Sequence, residues 1–173
     1  LRRLYSFYPL TGAGKESAAA LKTITNGVRK QDRGERIYRL MQLGAWRSVT
    51  ESAQSRLGDY PLTSELSCRV RYAYGRSQFK RNQVTIAAQV LTPVGKQCQG
   101  IDDANGPKAL YIAGKSLERK KEWANAAAVY AQIPKLYPDH SMADDGYTLG
   151  GIAWTEASQP KSARSLCERL ADS

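Results

Sequence analysis

The sequence predicts an all-α chain, an α-α superhelix of stacked antiparallel helix hairpins, and three observations carry that prediction. Apolar residues recur at intervals of three and four, as a buried helix stripe requires, and no stretch alternates with the period of two that a strand needs. Trp46 precedes Tyr60-Pro61 by 14 positions and Trp123 precedes Tyr137-Pro138 by the same 14; the copies lie 77 apart, close to two units of about 38. Finally, Gly114, Ala126 and Tyr130 recur as Gly151, Ala163 and Cys167, each displaced by 37, while Gly75, Ala87 and Leu91 repeat the internal spacing of 12 and 4 one unit earlier.

Helices are expected over 13–26, 32–43, 45–58, 63–79, 82–92, 107–119, 122–136, 141–157 and 160–171. In the fourth of these, Cys68, Tyr72, Gly75 and Phe79 form one face and Arg69, Arg76 and Lys80 another. Segment 92–107, rich in Gly, Asp and Asn, reads as a flexible insert between hairpins and a functional loop. In 122–136, Trp123, Ala126, Ala127, Tyr130 and Ile133 make the buried stripe, and Pro134 inside it should kink or loosen the helix end. Asp139 or Ser141 is placed to cap the next helix, and Pro160 to open the last at a position that tolerates a missing N–H.

A small residue in one helix and another early in its partner let antiparallel helices approach closely. A Tyr or Leu one turn later fills the gap between successive hairpins. Gly114, Ala126, Tyr130 and Pro138 resemble the tetratricopeptide helix pair position for position, with Leu110 where its leading Trp would stand. The chain divides into basic N-terminal hairpins (1–61), a central hairpin plus loop (62–106) and two tetratricopeptide-like repeats (107–173).

The 173 residues carry 26 Lys and Arg against 16 Asp and Glu, and the excess is uneven. Residues 1–81 hold 16 basic and 6 acidic side chains, residues 82–173 ten of each, so the whole +10 belongs to the first half. Such a half attracts an anionic polymer, whether nucleic acid, an acidic lipid surface or an acidic glycan; the plainer alternative is a solvated face. Arg69, Arg71, Arg76, Lys80 and Arg81 are the candidate contacts, interleaved with Tyr72, Tyr74 and Phe79. Helical spacing puts Tyr72 and Phe79 on the core side and leaves Tyr74 to stack on a ligand, which argues against a nucleic-acid face.

Other motifs fail chemically. The stretch 11–17 (TGAGKES) lacks the leading glycine of a phosphate loop, since Pro9 stands there, and has Glu16 where the metal-binding hydroxyl belongs. Asp139, His140, Asp144 and Asp145 are explained by helix capping and the helix dipole better than by a metal, and Gly146 with Gly150 by close helix packing. No nucleophile with a base, paired carboxylate or phosphate cradle is evident, so neither catalysis nor a cofactor is expected. No apolar run approaches the length of a membrane span. The chain opens on Leu1 without the long apolar stretch of a signal peptide, as a processed or excised part of a longer protein would.

If 63–79 and 82–92 form an antiparallel hairpin, the start of the first helix lies beside the exit of the second, which brings Cys68 near Cys98. A disulfide there implies an oxidising compartment such as a periplasm; the alternative is two free thiols in a cytosolic chain. Cys167, at the repeat's aromatic position, is expected in the core.

The segment 109–170, above all Ala126-Ala127-Ala128-Val129-Tyr130 followed by Tyr137-Pro138-Asp139-His140-Ser141-Met142-Ala143-Asp144-Asp145, resembles the helical-repeat region of soluble lytic murein transglycosylases. Segment 1–9 looks like the end of a preceding repeat, and the Cys68 and Cys98 pair fits that kind of chain. The resemblance implies a bacterial envelope protein that cleaves peptidoglycan glycan strands without water. A catalytic Glu would lie in a lysozyme-like domain C-terminal to the superhelix, and no Glu here takes that role. It therefore implies a non-catalytic periplasmic superhelix that positions peptidoglycan or envelope-protein partners. A periplasmic tetratricopeptide scaffold of outer-membrane assembly or cell division, with the same Tyr-Pro-x-x-Ser ahead of an Ala-rich helix, is the alternative.

Overall fold

In the computed structural model, which describes residues 1–171, the chain folds into α1 (Arg2–Phe7), α2 (Gly12–Lys22), α3 (Lys30–Gln42), α4 (Trp46–Ala53) and a 3-10 turn (Gln54–Asp59). Next come α5 (Glu65–Lys80), α6 (Val84–Gln97) and α7 (Gly106–Arg119). The last elements are α8 (Trp123–Tyr130), α9 (Gln132–Leu136), α10 (Ala143–Glu156) and α11 (Pro160–Ala171). No strand occurs among the described residues. Hairpins α3–α4, α5–α6, α7–α8 and α10–α11 stack in order, with α4 on α5, α6 on α7 and α8 on α10. This is the α-α superhelix the periodicity predicts.

These four hairpins turn in the same way. Gly44, Asn82, Lys121 and Ser158 adopt positive φ, each two residues before the helix that follows. In each turn the N–H of the next residue (Ala45, Gln83, Glu122, Gln159) donates to the carbonyl five residues back (Leu40, Gln78, Leu117, Trp154) at 2.8 to 3.0 Å. These are Schellman-type caps, in which one left-handed residue reverses the chain while satisfying an orphan helix carbonyl. Trp46 and Trp123 therefore share a register because each begins the second helix after the same turn.

The glycine spacing has a steric cause. A Cβ on Gly75 would overlap Leu91, and one on Gly114 would overlap the Tyr130 ring; one on Gly151 would come within 3.2 Å of the Cys167 Sγ. In all three the obstructing residue lies 16 positions on, on the partner helix. The last case departs from expectation: Cys167 is exposed, so the position that holds buried Leu91 and Tyr130 is not a core position in α11.

Of the two tyrosines of the Tyr-Pro pairs, Tyr60 closes its own α3–α4 hairpin and Tyr137 ties its hairpin to the one before. Tyr60, fully buried, donates its hydroxyl to the Lys30 carbonyl at 3.0 Å, and Tyr137 donates to the Gly95 carbonyl at 2.7 Å. Burial pushes the Tyr137 hydroxyl up to about 12, which keeps it a donor at any ordinary pH. Gly106 has no side chain because Tyr137 Oη occupies that space.

Pro134 acts one turn upstream of itself. Lacking an N–H for the Tyr130 carbonyl, it divides the expected 122–136 helix into α8 and α9 at Ala131. The freed Tyr130 carbonyl and the Pro134 ring lie where a Cβ on Gly146 would go, so α10 crosses close to the break.

Segment 92–107 is not a flexible insert. Helix α6 runs through Pro93 to Gln97, because Leu91, Val94 and Gly95 are buried, Leu91 against Gly75 of α5 and Gly95 against Leu110 of α7, and the carbonyl that Pro93 leaves unpaired belongs to exposed Gln89. Residues 98–105 form a pinned turn. Cys98 is bonded to Cys68, with Cα atoms 6.1 Å apart; Gln99 donates to the Leu136 carbonyl at 2.8 Å; Gly100 N–H donates to Asp103 at 2.7 Å. Neither Asp139 nor Ser141 caps α10, which starts at Ala143; His140 Nδ1 instead accepts the Met142 N–H at 3.1 Å. The expected 45–58 helix keeps its length but changes character part-way, α-helical over Trp46–Ala53 and 3-10 over Gln54–Asp59.

Candidate functional site

The first helices of the hairpins, α3, α5 and α7, lie side by side and present one continuous face. Two adjoining depressions of about 470 and 490 Å³ cut into it and share Tyr72, Arg76 and Lys108. Tyr38, Met41 and Trp46 close one end; Phe79, Tyr111, Ile112 and Met142 close the other. Helical periodicity builds this face, since Arg69, Arg76 and Lys80 stand seven and four residues apart on one side of α5.

Cations lie on aromatic rings along the groove. The Arg76 guanidinium sits 5.7 Å from the Trp46 centroid and 6.0 Å from that of Tyr72, and its Nη1 donates to Tyr72 Oη at 3.3 Å. Lys80 Nζ lies 6.0 Å from the same Trp46 ring, and the Arg119 guanidinium 4.2 Å from Phe79. Such contacts orient a cation without neutralising it. Among the described residues, Arg76, Lys80, Lys108 and Arg119 form no ion pair with a carboxylate. Arg69 and Lys115 are paired, with Glu65 and Glu118.

One acid lies beneath the groove. Asp102 is 5% exposed, and burial raises its carboxyl above the usual carboxylate range although Asn105 Nδ2 donates to both its oxygens, at 3.0 and 2.8 Å. Asn105 lines the groove and also donates to Tyr38 Oη at 3.3 Å. Asp102 thus fixes the floor without offering an exposed negative charge to a ligand.

The structure separates the five basic candidates. Arg69, Arg76 and Lys80 lie on the groove side. Arg71 does not: it donates to the Tyr60 carbonyl and, at 2.9 Å, to the Leu57 carbonyl, holding the turn ahead of α5. Arg81 is exposed, seven residues from Tyr74 and on its side of the helix. Tyr74, the one aromatic of this set that helical spacing left as a candidate to stack on a ligand, is 4% exposed and belongs to the core, whereas Phe79 is only half-buried and faces Arg119. Net charge by half also misleads, since Lys108 from the neutral half lines the groove and Lys115 and Arg119 lie over its Tyr111 and Phe79 rings. Trp46, Tyr38, Lys108, Tyr111 and Arg119 escaped sequence reading. The 39-residue register of Gly75 and Gly114 contains part of that signal: it aligns Tyr72 with Tyr111, Arg76 with Lys115 and Lys80 with Arg119.

Among the described residues no three His, Cys, Asp or Glu side chains gather as metal ligands do, and no helix is long and apolar enough to cross a membrane. The arrangement is chemically a binding surface: a rigid floor, aromatic walls and unneutralised cations.

Residues 108–140 match the tetratricopeptide repeat family. The match runs from the first turn of α7 through α8 and α9 to His140, the unit in which Gly114 meets Tyr130 and Tyr137 reaches back to Gly95. No curated protein and no solved structure matches the chain. A tetratricopeptide-like repeat within a helical superhelix indicates an interaction scaffold with protein partners.

Proposed function

We propose that the chain binds an extended acidic segment of a partner protein along the groove formed by α3, α5 and α7. The observation that carries this reading is the row of cations, Arg76, Lys80 and Arg119 held on aromatic rings and Lys108 beside them, with no carboxylate partner among the described residues. Carboxylates of the partner would pair with them, and its apolar side chains would enter the depressions beside Trp46, Tyr72 and Ile112. Fluorescence anisotropy with a labelled Glu/Phe-rich peptide and its Lys/Phe-rich counterpart tests it. The acidic peptide binds, added salt weakens it, and Arg76→Glu with Lys80→Glu lowers affinity by about tenfold or more. Equal binding of both peptides, or indifference to the charge reversal, contradicts the reading.

The Cys68–Cys98 disulfide favours a second reading, in which the protein works in an oxidising compartment such as the periplasm. There the superhelix would be the non-catalytic region of a peptidoglycan lytic transglycosylase, guiding glycan strands or envelope proteins, and the aromatic walls would stack on sugar rings. Co-sedimentation with purified peptidoglycan at low and moderate salt separates the two. Retention that is lost with Arg76→Glu supports glycan binding; absence of retention at either salt removes it and leaves the protein scaffold.

A further inference from the structure

One junction breaks the stacking rule. The second helices α4, α6 and α8 each pack along the first helix of the next hairpin, but α2 packs on α1 and makes no comparable contact with α3. The space between α2 and the α3–α4 hairpin is a cleft of about 390 Å³. Four cations line it, Lys22, Arg33, Arg36 and Arg56, against one carboxylate, Glu51, which already pairs with Arg47 at 2.8 Å. Arg33 donates to the Val28 carbonyl at 2.9 Å, yet its Nε is buried without any hydrogen-bond partner. Arg36 is held in place, its guanidinium 4.6 Å from the Tyr5 centroid and donating to the Tyr5 and Pro9 carbonyls at 2.7 and 3.3 Å. Lys22 and Arg56 are exposed and form no ion pair among the described residues.

We propose that this cleft is a binding site for a phosphate group, carried by a small soluble ester or by a lipid headgroup. Guanidinium groups present paired N–H donors that match phosphate oxygens, and a cleft lined by one sign of charge concentrates a dianion. Burial raises the Tyr5 hydroxyl above its ordinary range, so it remains a protonated donor. Ala18, Val28 and Ile37 supply apolar wall for the carbon part of an ester, and the volume lies within the range of small-molecule pockets. The site is separate from the α3–α5–α7 groove, so neither proposal depends on the other.

The test is an NMR titration of the ¹⁵N-labelled chain with inorganic phosphate, on the wild type and on a Lys22→Gln, Arg56→Gln double variant. Both residues are exposed, so the fold survives. Saturable shifts are expected for amides lining the cleft in α2, α3 and α4, with binding weakened about tenfold or more in the double variant. Arg76→Gln with Lys80→Gln, in the groove, leaves phosphate binding unchanged. Vesicles of phosphatidic acid in phosphatidylcholine, against phosphatidylcholine alone, identify the source: co-sedimentation that the double variant loses points to a headgroup, and its absence alongside phosphate binding points to a soluble ester. No saturable shift at the cleft, or full retention of phosphate by the double variant, overturns the proposal whatever the vesicles do.

Discussion

The junction between α5–α6 and α7–α8 and the junction between α1–α2 and α3–α4 solve the same stacking problem with different chemistry. At the first, a glycine lets helices of neighbouring hairpins meet face to face, Gly95 against Leu110, and the same device closes each hairpin beside it, Gly75 against Leu91 and Gly114 against Tyr130. Tyr137 reaches across it to a buried carbonyl, and the Cys68–Cys98 bond fastens the α5–α6 hairpin whose end packs there. At the second junction, arginine carries the load. Arg36 holds the α1 end through two carbonyls, and Asp32, 6% exposed, collects Arg29 at 2.8 Å and Arg2 at 3.7 Å. Dispersion and burial make the central junction rigid enough to floor a groove. Guanidinium contacts leave the N-terminal one with a charged cleft instead. Where small residues permit contact the layers close on one another, and where long cations bridge them an open cleft remains.

The sharpest way to break the comparison is to remove the bond at the central junction. Cys68→Ala with Cys98→Ala opens a bridge of sequence separation 30, and the chain-entropy model puts the loss at roughly 3 to 4 kcal/mol. Urea midpoints measure it. Thiol counting under denaturing, non-reducing conditions then finds one reactive thiol in the wild type, from Cys167, and three would contradict the bridge. Gly114→Val forces two methyl groups toward the buried Tyr130 ring and costs about 3 kcal/mol, whereas Gly12→Ala, with nothing within 4 Å of its Cβ, gains about 0.5–1 kcal/mol.

The tyrosine pair sets a bond across the central junction beside one that closes the α3–α4 hairpin. Tyr137→Phe strands the buried Gly95 carbonyl and costs about 1–3 kcal/mol. Tyr60→Phe frees the Lys30 carbonyl in a partly buried setting that water can reach, at about 1 kcal/mol or less. Equal losses would mean that the two hydroxyl bonds are similarly shielded from water. The smallest effect is electrostatic. Hydrogen bonding to Arg29 lowers the Asp32 carboxyl below its ordinary range, so its contribution is present above the unfolded value and fades as pH falls through the lowered folded value. Asp32→Asn therefore lowers Tm at neutral pH, with a difference that shrinks toward strongly acidic pH; a gap constant with pH would assign the effect to packing.

The architecture was legible because it is written in local spacing. Glycine and its obstructing partner stand 16 residues apart in three hairpins, and the Trp-to-Tyr-Pro interval of 14 follows from a common turn. Less was legible where a tertiary contact overruled a local rule. Pro93 sits inside α6 because Leu91, Val94 and Gly95 are buried around it, and segment 98–105 is ordered by contacts to Cys68, Leu136 and Tyr38, two of them more than 30 residues away in sequence. The groove was half legible. Seven-residue spacing placed Arg69 and Arg76 together, but nothing local announced that Trp46, from the preceding hairpin, would lie under Arg76 and Lys80. Tyr74 was misplaced for a related reason: α5 is covered by α3, α4, α6 and α7, so more of its circumference is buried than a single apolar stripe suggests.

The groove reading rests on Trp46, whose indole proton reports on it without interference from the other two tryptophans once Trp46→Phe has identified its signal. In a ¹H–¹⁵N titration with the Glu/Phe-rich peptide, the Trp46 indole peak is predicted to move saturably, and Trp123 and Trp154 to stay in place. A stationary Trp46 peak at peptide concentrations that saturate binding would contradict the groove as the site where this protein holds its partner.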